Sequence, residues 1–174
     1  MQCLTGLLVT VKMHQWKNKL LLLLGVLILL STYAGAQEIR GGLLLHDIAP
    51  VWGNQRIESG VDLNAEIIFG KGLVRPNMGF LLNLHGDTNC VYAGVLVGSN
   101  FGRCFGDVAV GGALVGDYTR KLGSPVLFRI AGEIGYMFNE HLGFGFLLHH
   151  VSNANIAKHN AGVDVVGFRV RYIF

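Results

Sequence analysis

Beyond residue 37 the chain never strings together enough apolar residues to cross a membrane as a helix. Instead it alternates apolar and polar residues at period two, in short segments divided by Gly, Asn and Asp. Gly60–Phe69 is the clearest: Val61, Leu63, Ala65, Ile67 and Phe69 fall on one face of a strand, and Asp62, Asn64 and Glu66 on the other. Eight such segments can be marked, roughly 39–46, 60–69, 77–85, 90–97, 104–114, 125–136, 142–150 and 163–174. The first is ambiguous in its faces. No linker, repeat or low-complexity tract interrupts the series, so the chain reads as one all-β domain.

Eight strands with one apolar face fit either a soluble barrel, apolar inside, or a membrane barrel, apolar outside. The minority face decides. It carries Asp62, Glu66, Arg129, Glu133, Arg169 and Arg171 among Gly and Ala. Small residues and opposite charges suit the narrow interior of an eight-stranded barrel, while the other face is continuously aliphatic and aromatic. The expected fold is therefore an eight-stranded antiparallel transmembrane β-barrel over residues 37–174. Outer loops fall near 47–59, 86–89, 115–124 and 151–162, separated by inner turns of about five residues. The last strand ends Phe168-Arg169-Val170-Arg171-Tyr172-Ile173-Phe174, an alternation closed by a terminal Phe. That ending resembles the assembly signal of outer-membrane barrels.

The chemistry concentrates in the last hairpin. His150 and Ser152 share a strand face, and Asp164 has matching parity on the next strand. A hairpin closing evenly around 151–162 would make residues 150 and 164 cross-strand neighbours, about 5 Å apart at Cβ. Ser152 lies one strand period further, roughly 7 Å along. A serine hydroxyl needs a base to take its proton, and an acid to orient that base completes the set. All three emerge on the lipid-facing wall at the outer rim. Ordinary headgroup-zone polar residues would explain the same pattern. The adjacent His149 points into the lumen, where a structural role is expected. Lys158 lies in the last loop, within reach of a lipid phosphate or simply solvated.

The run His150-Val151-Ser152-Asn153-Ala154, followed by Asn160, Gly162 and Asp164, resembles the C-terminal signature of the lipid A 3-O-deacylase (PagL) family of outer-membrane esterases. The resemblance covers about the last thirty residues; elsewhere only length and strand count agree. It implies His150 as general base, Ser152 as nucleophile and Asp164 as the orienting acid. Asn160 would stabilise the oxyanion, with Asn153 and Ala154 at the following loop. The family's usual acid is Glu, one methylene longer, and the residue between His and Ser is often aromatic where this chain has Val151. The implied reaction hydrolyses the ester-linked 3-hydroxyacyl chain at position 3 of lipid A, without metal or cofactor. The expected partners are lipid A or lipopolysaccharide in the outer leaflet, the outer-membrane barrel assembly machinery and a second copy as a homodimer. Alternatives are another outer-membrane lipid esterase or acyltransferase, or a non-enzymatic structural or adhesion barrel.

Upstream of the strands, Lys17 and Lys19 precede the apolar run Leu20–Leu30, and Ala34-Gly35-Ala36 is a small-x-small cleavage pattern. This predicts a secretory signal peptide over 1–36, initiated at Met1 or Met13, rather than a retained anchor. No Cys follows the cut, which argues against a lipid anchor there. The formal net charge of +3 belongs to this leader, whose three lysines have no acidic partner. Without it the basic residues equal the 11 acidic ones, so nothing favours nucleic acid as a partner. Cys90 and Cys104 fall near opposite ends of one hairpin, too far apart for a disulfide, which needs Cα atoms within about 7 Å. N-terminal sequencing of the membrane-inserted protein should therefore begin at Gln37; a mature chain that keeps residues 1–36 would refute the cleavage.

Overall fold

A computed structural model of the chain describes residues 35–48, 57–116 and 122–174. The signal segment expected over 1–36 lies outside the described residues except for Gly35 and Ala36. The strands are β1 (Ala36–His46), β2 (Val61–Phe69), β3 (Val74–Asn83), β4 (Cys90–Phe101), β5 (Cys104–Val115), β6 (Val126–Met137), β7 (Leu142–Ser152) and β8 (Val163–Ile173). Each pairs antiparallel with the next, and β1 closes on β8 from Glu38↔Ile173 to His46↔Val165. Closure leaves no sheet edge. That is the one way a sheet can satisfy its backbone N–H and C=O groups inside lipid.

The eight expected segments are these eight strands, with ends that differ by a few residues. The alternation marks β3 from Asn77, just after Pro76, which has no N–H to give a ladder. In the structure β3 starts at Val74, and Pro76 sits opposite Val95 of β4. The ladder to β2 ends at Asn77↔Ile68, so the proline falls where β3 pairs on one side only. The alternation marks β4 only to Val97, before Gly98-Ser99-Asn100, which carry turn chemistry. The strand instead runs to Phe101 and turns through Gly102-Arg103, with Gly102 at φ 64°. This inner turn is consequently shorter than expected.

The two faces divide as the alternation requires. Leu43, Val91, Val95, Val108, Val110, Phe128, Ile134, Phe168 and Val170 are exposed on the outer wall. The ambiguous first strand resolves: Glu38, Arg40, Leu44 and His46 are buried, while Leu43 and Leu45 face out. Aromatic rings pair across the outer wall of β7 and β8, with Phe168 stacked on Phe144 and edge-on to Phe146. Such contacts add to the apolar area each ring presents to acyl chains.

Inside, the lumen is split along its length. Towards the end holding the inner turns, Arg40 bonds Glu38, Glu133 (2.6 Å) and Asp107 (2.5 Å). Arg75 bridges Glu38 at 2.8 Å and Asp107 at 3.0 Å, while Arg169 joins Glu133 to Glu66. Towards the outer loops apolar side chains, Leu81, Cys90, Ala113, Val115, Leu127, Val151, Val163 and Val165, pack in the lumen that also holds the buried His46, Asp62 and Asn83. Between them lies Tyr92, whose ring is covered by the Arg129 guanidinium at 4.0 Å and meets His149 edge-on. Gly79 makes room for it, since a Cβ there would come within 2.6 Å of the phenol oxygen. Cys90 pairs with Val115 at one end of the β4–β5 hairpin and Cys104 with Phe101 at the other, and both thiols are free.

Removing Glu133 takes away the acid that Arg40 and Arg169 share and leaves the desolvated network with one uncompensated positive charge. Glu133→Ala should therefore destabilise the barrel by about 3–5 kcal/mol, seen as a lower temperature for the folded-to-unfolded band shift in unheated electrophoresis; an unchanged midpoint would show that the remaining acids Glu38, Asp107 and Glu66 suffice for the two arginines.

Candidate active site

The register of the final hairpin places His150 of β7 directly opposite Asp164 of β8. His150 Nδ1 and Asp164 Oδ1 are 2.7 Å apart. Two residues on, Ser152 ends β7 on the same face. The structure thus joins His150 to Asp164 and sets Ser152 beside them in phase. Asp164 is only 3% exposed despite its outward parity, and His150 and Ser152 are half-buried. The adjoining outer wall is apolar: Phe128 of β6 pairs with Ser152 and Ile130 with His150.

The residues after Ser152 hold two loops together. Asn153 has lumen-side parity and is buried. Its Nδ2 donates to the carbonyl of Leu122 (2.7 Å), tying the segment 122–125 to 153–162, and to that of His159 (2.5 Å) within its own loop. Its backbone N–H donates to Asn160 Oδ1 at 2.9 Å, and Asn160 Nδ2 in turn donates to Asn155 Oδ1 at 3.0 Å. Ala154 and Asn155 are left-handed, at φ 52° and 63°, which turns the chain sharply just past the serine. Of the three residues expected to serve an oxyanion, Asn153 thus has its side chain engaged in loop packing. Asn160 has its amide steered by the Asn153 N–H. Ala154 lies in the turn itself, with a left-handed backbone.

The match to a model of known families extends well beyond this hairpin. The model described as Lipid A 3-O-deacylase (PagL) matches residues 47–173, nearly the whole barrel. The chain belongs to this family. It is accordingly a hydrolase of lipid A, a 3-O-deacylase, and its apolar outer wall fits the bacterial outer membrane. A solved structure, "Crystal structure of the outer membrane enzyme PagL", matches with a TM-score of 0.61. It is 13% identical, with 79% of this chain and 99% of that one covered, so the likeness is one of fold. No curated protein sequence matches.

Two features of the deacylase's site leave little trace in sequence. Leu122 and Gly123 reach Asn153 and His159 from a loop thirty residues upstream, and only the glycine hints at it. Gly123 sits at φ 71°, where a Cβ would run into the His159 carbonyl. His149, expected to face the lumen, is fully buried with neither ring nitrogen hydrogen-bonded. Lys158 lies in the 153–162 loop without a described contact to the triad residues.

Asn153→Ala removes the bond between the loops and a second one within the last loop. Losing about 1–1.5 kcal/mol of local stability should raise proteolysis within 122–125 and 153–162 roughly tenfold, while the unfolding temperature of the barrel stays put. Equal protease resistance in the variant would show that the loops are held another way.

Proposed function

We propose that this deacylase works as a serine esterase, with Ser152 as nucleophile, His150 as general base and Asp164 as the acid that orients it. The observation that carries the reading is the 2.7 Å bond between His150 Nδ1 and Asp164. With Nδ1 committed to the acid, the proton of Ser152 goes to Nε2, the division of labour that a serine–histidine–acid set requires. Ser152 follows two residues on in the same strand, in phase with that imidazole.

In this mechanism Ser152 Oγ attacks the carbonyl carbon of the ester at position 3 of lipid A as its proton passes to His150. Asn160 Nδ2 and the Ala154 N–H stabilise the negative oxygen; the exposed bond from Asn160 to Asn155 is the one the oxyanion replaces. The bond between the acyl carbon and the sugar oxygen then breaks, and His150 returns its proton to the sugar hydroxyl. Water, deprotonated by the same imidazole, hydrolyses the acyl-enzyme and frees a 3-hydroxy fatty acid. The location suits that substrate. The triad opens on the outer wall beside Phe128 and Ile130, so a lipid ester approaches sideways from the outer leaflet without leaving the bilayer. We also read residues 1–36 as a cleaved export signal and the terminal strand as the segment handed to the barrel assembly machinery. A homodimer would leave the chemistry within each copy.

Cells making the protein should contain lipid A lighter by one hydroxyacyl chain in mass spectra. Ser152→Ala or His150→Ala should abolish the change, and Asp164→Asn should lower turnover on the order of a hundredfold or more. Inserted protein with an unaltered lipid A spectrum would sink the reading. Lysophospholipid in place of deacylated lipid A would transfer the same triad to a phospholipid ester.

A further inference from the structure

The outer mouth of the barrel holds a second set of titratable groups that the triad does not use. His46, the last residue of β1, is buried and has a carboxylate on each ring nitrogen. Asp62 Oδ2 lies 2.8 Å from Nδ1, and Glu58 Oε2 lies 2.9 Å from Nε2. An imidazole that donates from both nitrogens is the cation, so the cluster is an acid–imidazolium–acid bridge. Both acids are themselves held. Asn83 Nδ2 donates to Asp62 at 3.0 Å, and Thr88 donates to Glu58 through its hydroxyl (2.8 Å) and its N–H (3.1 Å). Burial pushes the Glu58 carboxyl up, but the bonds from His46 and Thr88 outweigh it and keep the group below the ordinary carboxylate range.

Asp47 connects this bridge to the active site. It is buried, and its φ of 48° is left-handed. Its Oδ2 accepts the N–H groups of Ile57 (2.6 Å) and Glu58 (2.8 Å), which brings the returning arm of the loop alongside and delivers Glu58 to His46. The same kink re-aims the next peptide. The β1–β8 ladder ends at His46↔Val165, and a regular continuation would set residue 47 opposite 164. With Asp47 in the left-handed region, the bond is made one residue later: Ile48 N–H donates to the carbonyl oxygen of Asp164 at 3.3 Å.

We propose that His46, with Asp47, Glu58 and Asp62, is a positioning device for the catalytic acid, fixing the backbone of β8 at Asp164 so that its carboxylate meets His150. The proposal rests on the triad reading above. Aspartate has a single methylene between Cα and carboxylate, so its oxygens go where the backbone puts them. Placement errors of half an ångström to one ångström are what catalytic constellations cannot absorb. A glutamate at the same position could swing to compensate. The bridge reaches Asp164 through a backbone bond, so its effect should fall on turnover and leave substrate binding alone.

The test is a mutant cycle on the full-length, membrane-inserted protein, assayed on lipid A: wild type, His46→Gln, Asp164→Glu and the double variant. His46→Gln should lower kcat on the order of tenfold to a hundredfold with KM unchanged, and the loss should shrink to within about twofold when residue 164 is the longer acid. A merely structural role would lower kcat by the same factor in both backgrounds, and that result overturns the proposal, as does a His46→Gln enzyme with full turnover. If Asp164→Glu is itself inert, the single variant decides: a fall in kcat at constant KM supports positioning, and a joint change of both overturns it. Full turnover in Asp164→Asn would instead remove the triad reading, whatever the His46 variants do.

Discussion

Everything in this protein depends on the closure of β1 against β8. A sheet in hydrocarbon cannot leave a row of backbone donors and acceptors unpaired, and closing the sheet is the only remedy. Once closed, the barrel has fixed registers, and a register slip of one residue would carry every side chain to the other face. The alternation of residues thus becomes a map of destinations. Arg129 and Val151 pair across β6 and β7 facing the lumen, while Ile130 and His150, one step along, face lipid. The triad's location on the outer wall is a consequence of parity, set by the same ladder that holds the barrel in the membrane.

The lumen meets a different constraint. It is too narrow for bulk water and is lined by strands whose outer faces are committed to lipid, so its filling must satisfy itself. At the inner-turn end it does so with interlocked arginines and acids: Glu133 is shared by Arg40 and Arg169, and Glu38 by Arg40, Arg75 and Arg171. A buried ion pair is weak evidence of net stability, because desolvation offsets much of the attraction. Its sharper effect is on specificity. Each arginine reaches acids on several strands, so the network is complete in one register of the barrel and broken in its neighbours. At the outer end the apolar side chains, Val151 and Val163 among them, make no such demand, and the polar groups in the same lumen, His46, Asp62 and Asn83, bond one another.

The strand map and the pairing of His150 with Asp164 were legible because period two is a local property that a single sequence displays. The exceptions have local reasons. Pro76 and Gly98-Ser99-Asn100 carry turn chemistry, but tertiary pairing overrides it where one side of a strand has no ladder or where the next strand is near. The loops were not legible. That Asn153 would bond the Leu122 carbonyl depends on two outer loops meeting, and no periodicity encodes such a meeting. His46 illustrates the difference best. Sequence places it at a rim with no assigned role, because neither Glu58 nor Asp62 is identifiable as its partner until β1 and β2 are registered. The acid at 164 was likewise visible as a departure from the family's glutamate, without any indication of what accommodates it.

The structure answers that last point in a way the parity argument could not. A shorter acid can still orient a histidine if the chain, and not the side chain, supplies the missing reach. Here β8 presents Asp164 directly across from His150, in the closest relation that an antiparallel ladder offers, and their side chains bond at 2.7 Å. The cost of relying on backbone is that the backbone must be held from its other side as well. The bulge at Asp47 does this, directing the Ile48 N–H to the Asp164 carbonyl while its own carboxylate recruits the loop that carries Glu58. Asp164 is therefore gripped between two strands: β7 reads its side chain, and the end of β1 reads its main chain. Under the proposed roles a longer, more adaptable acid would have no such need, and the buried His46 bridge and the aspartate at 164 belong to one solution.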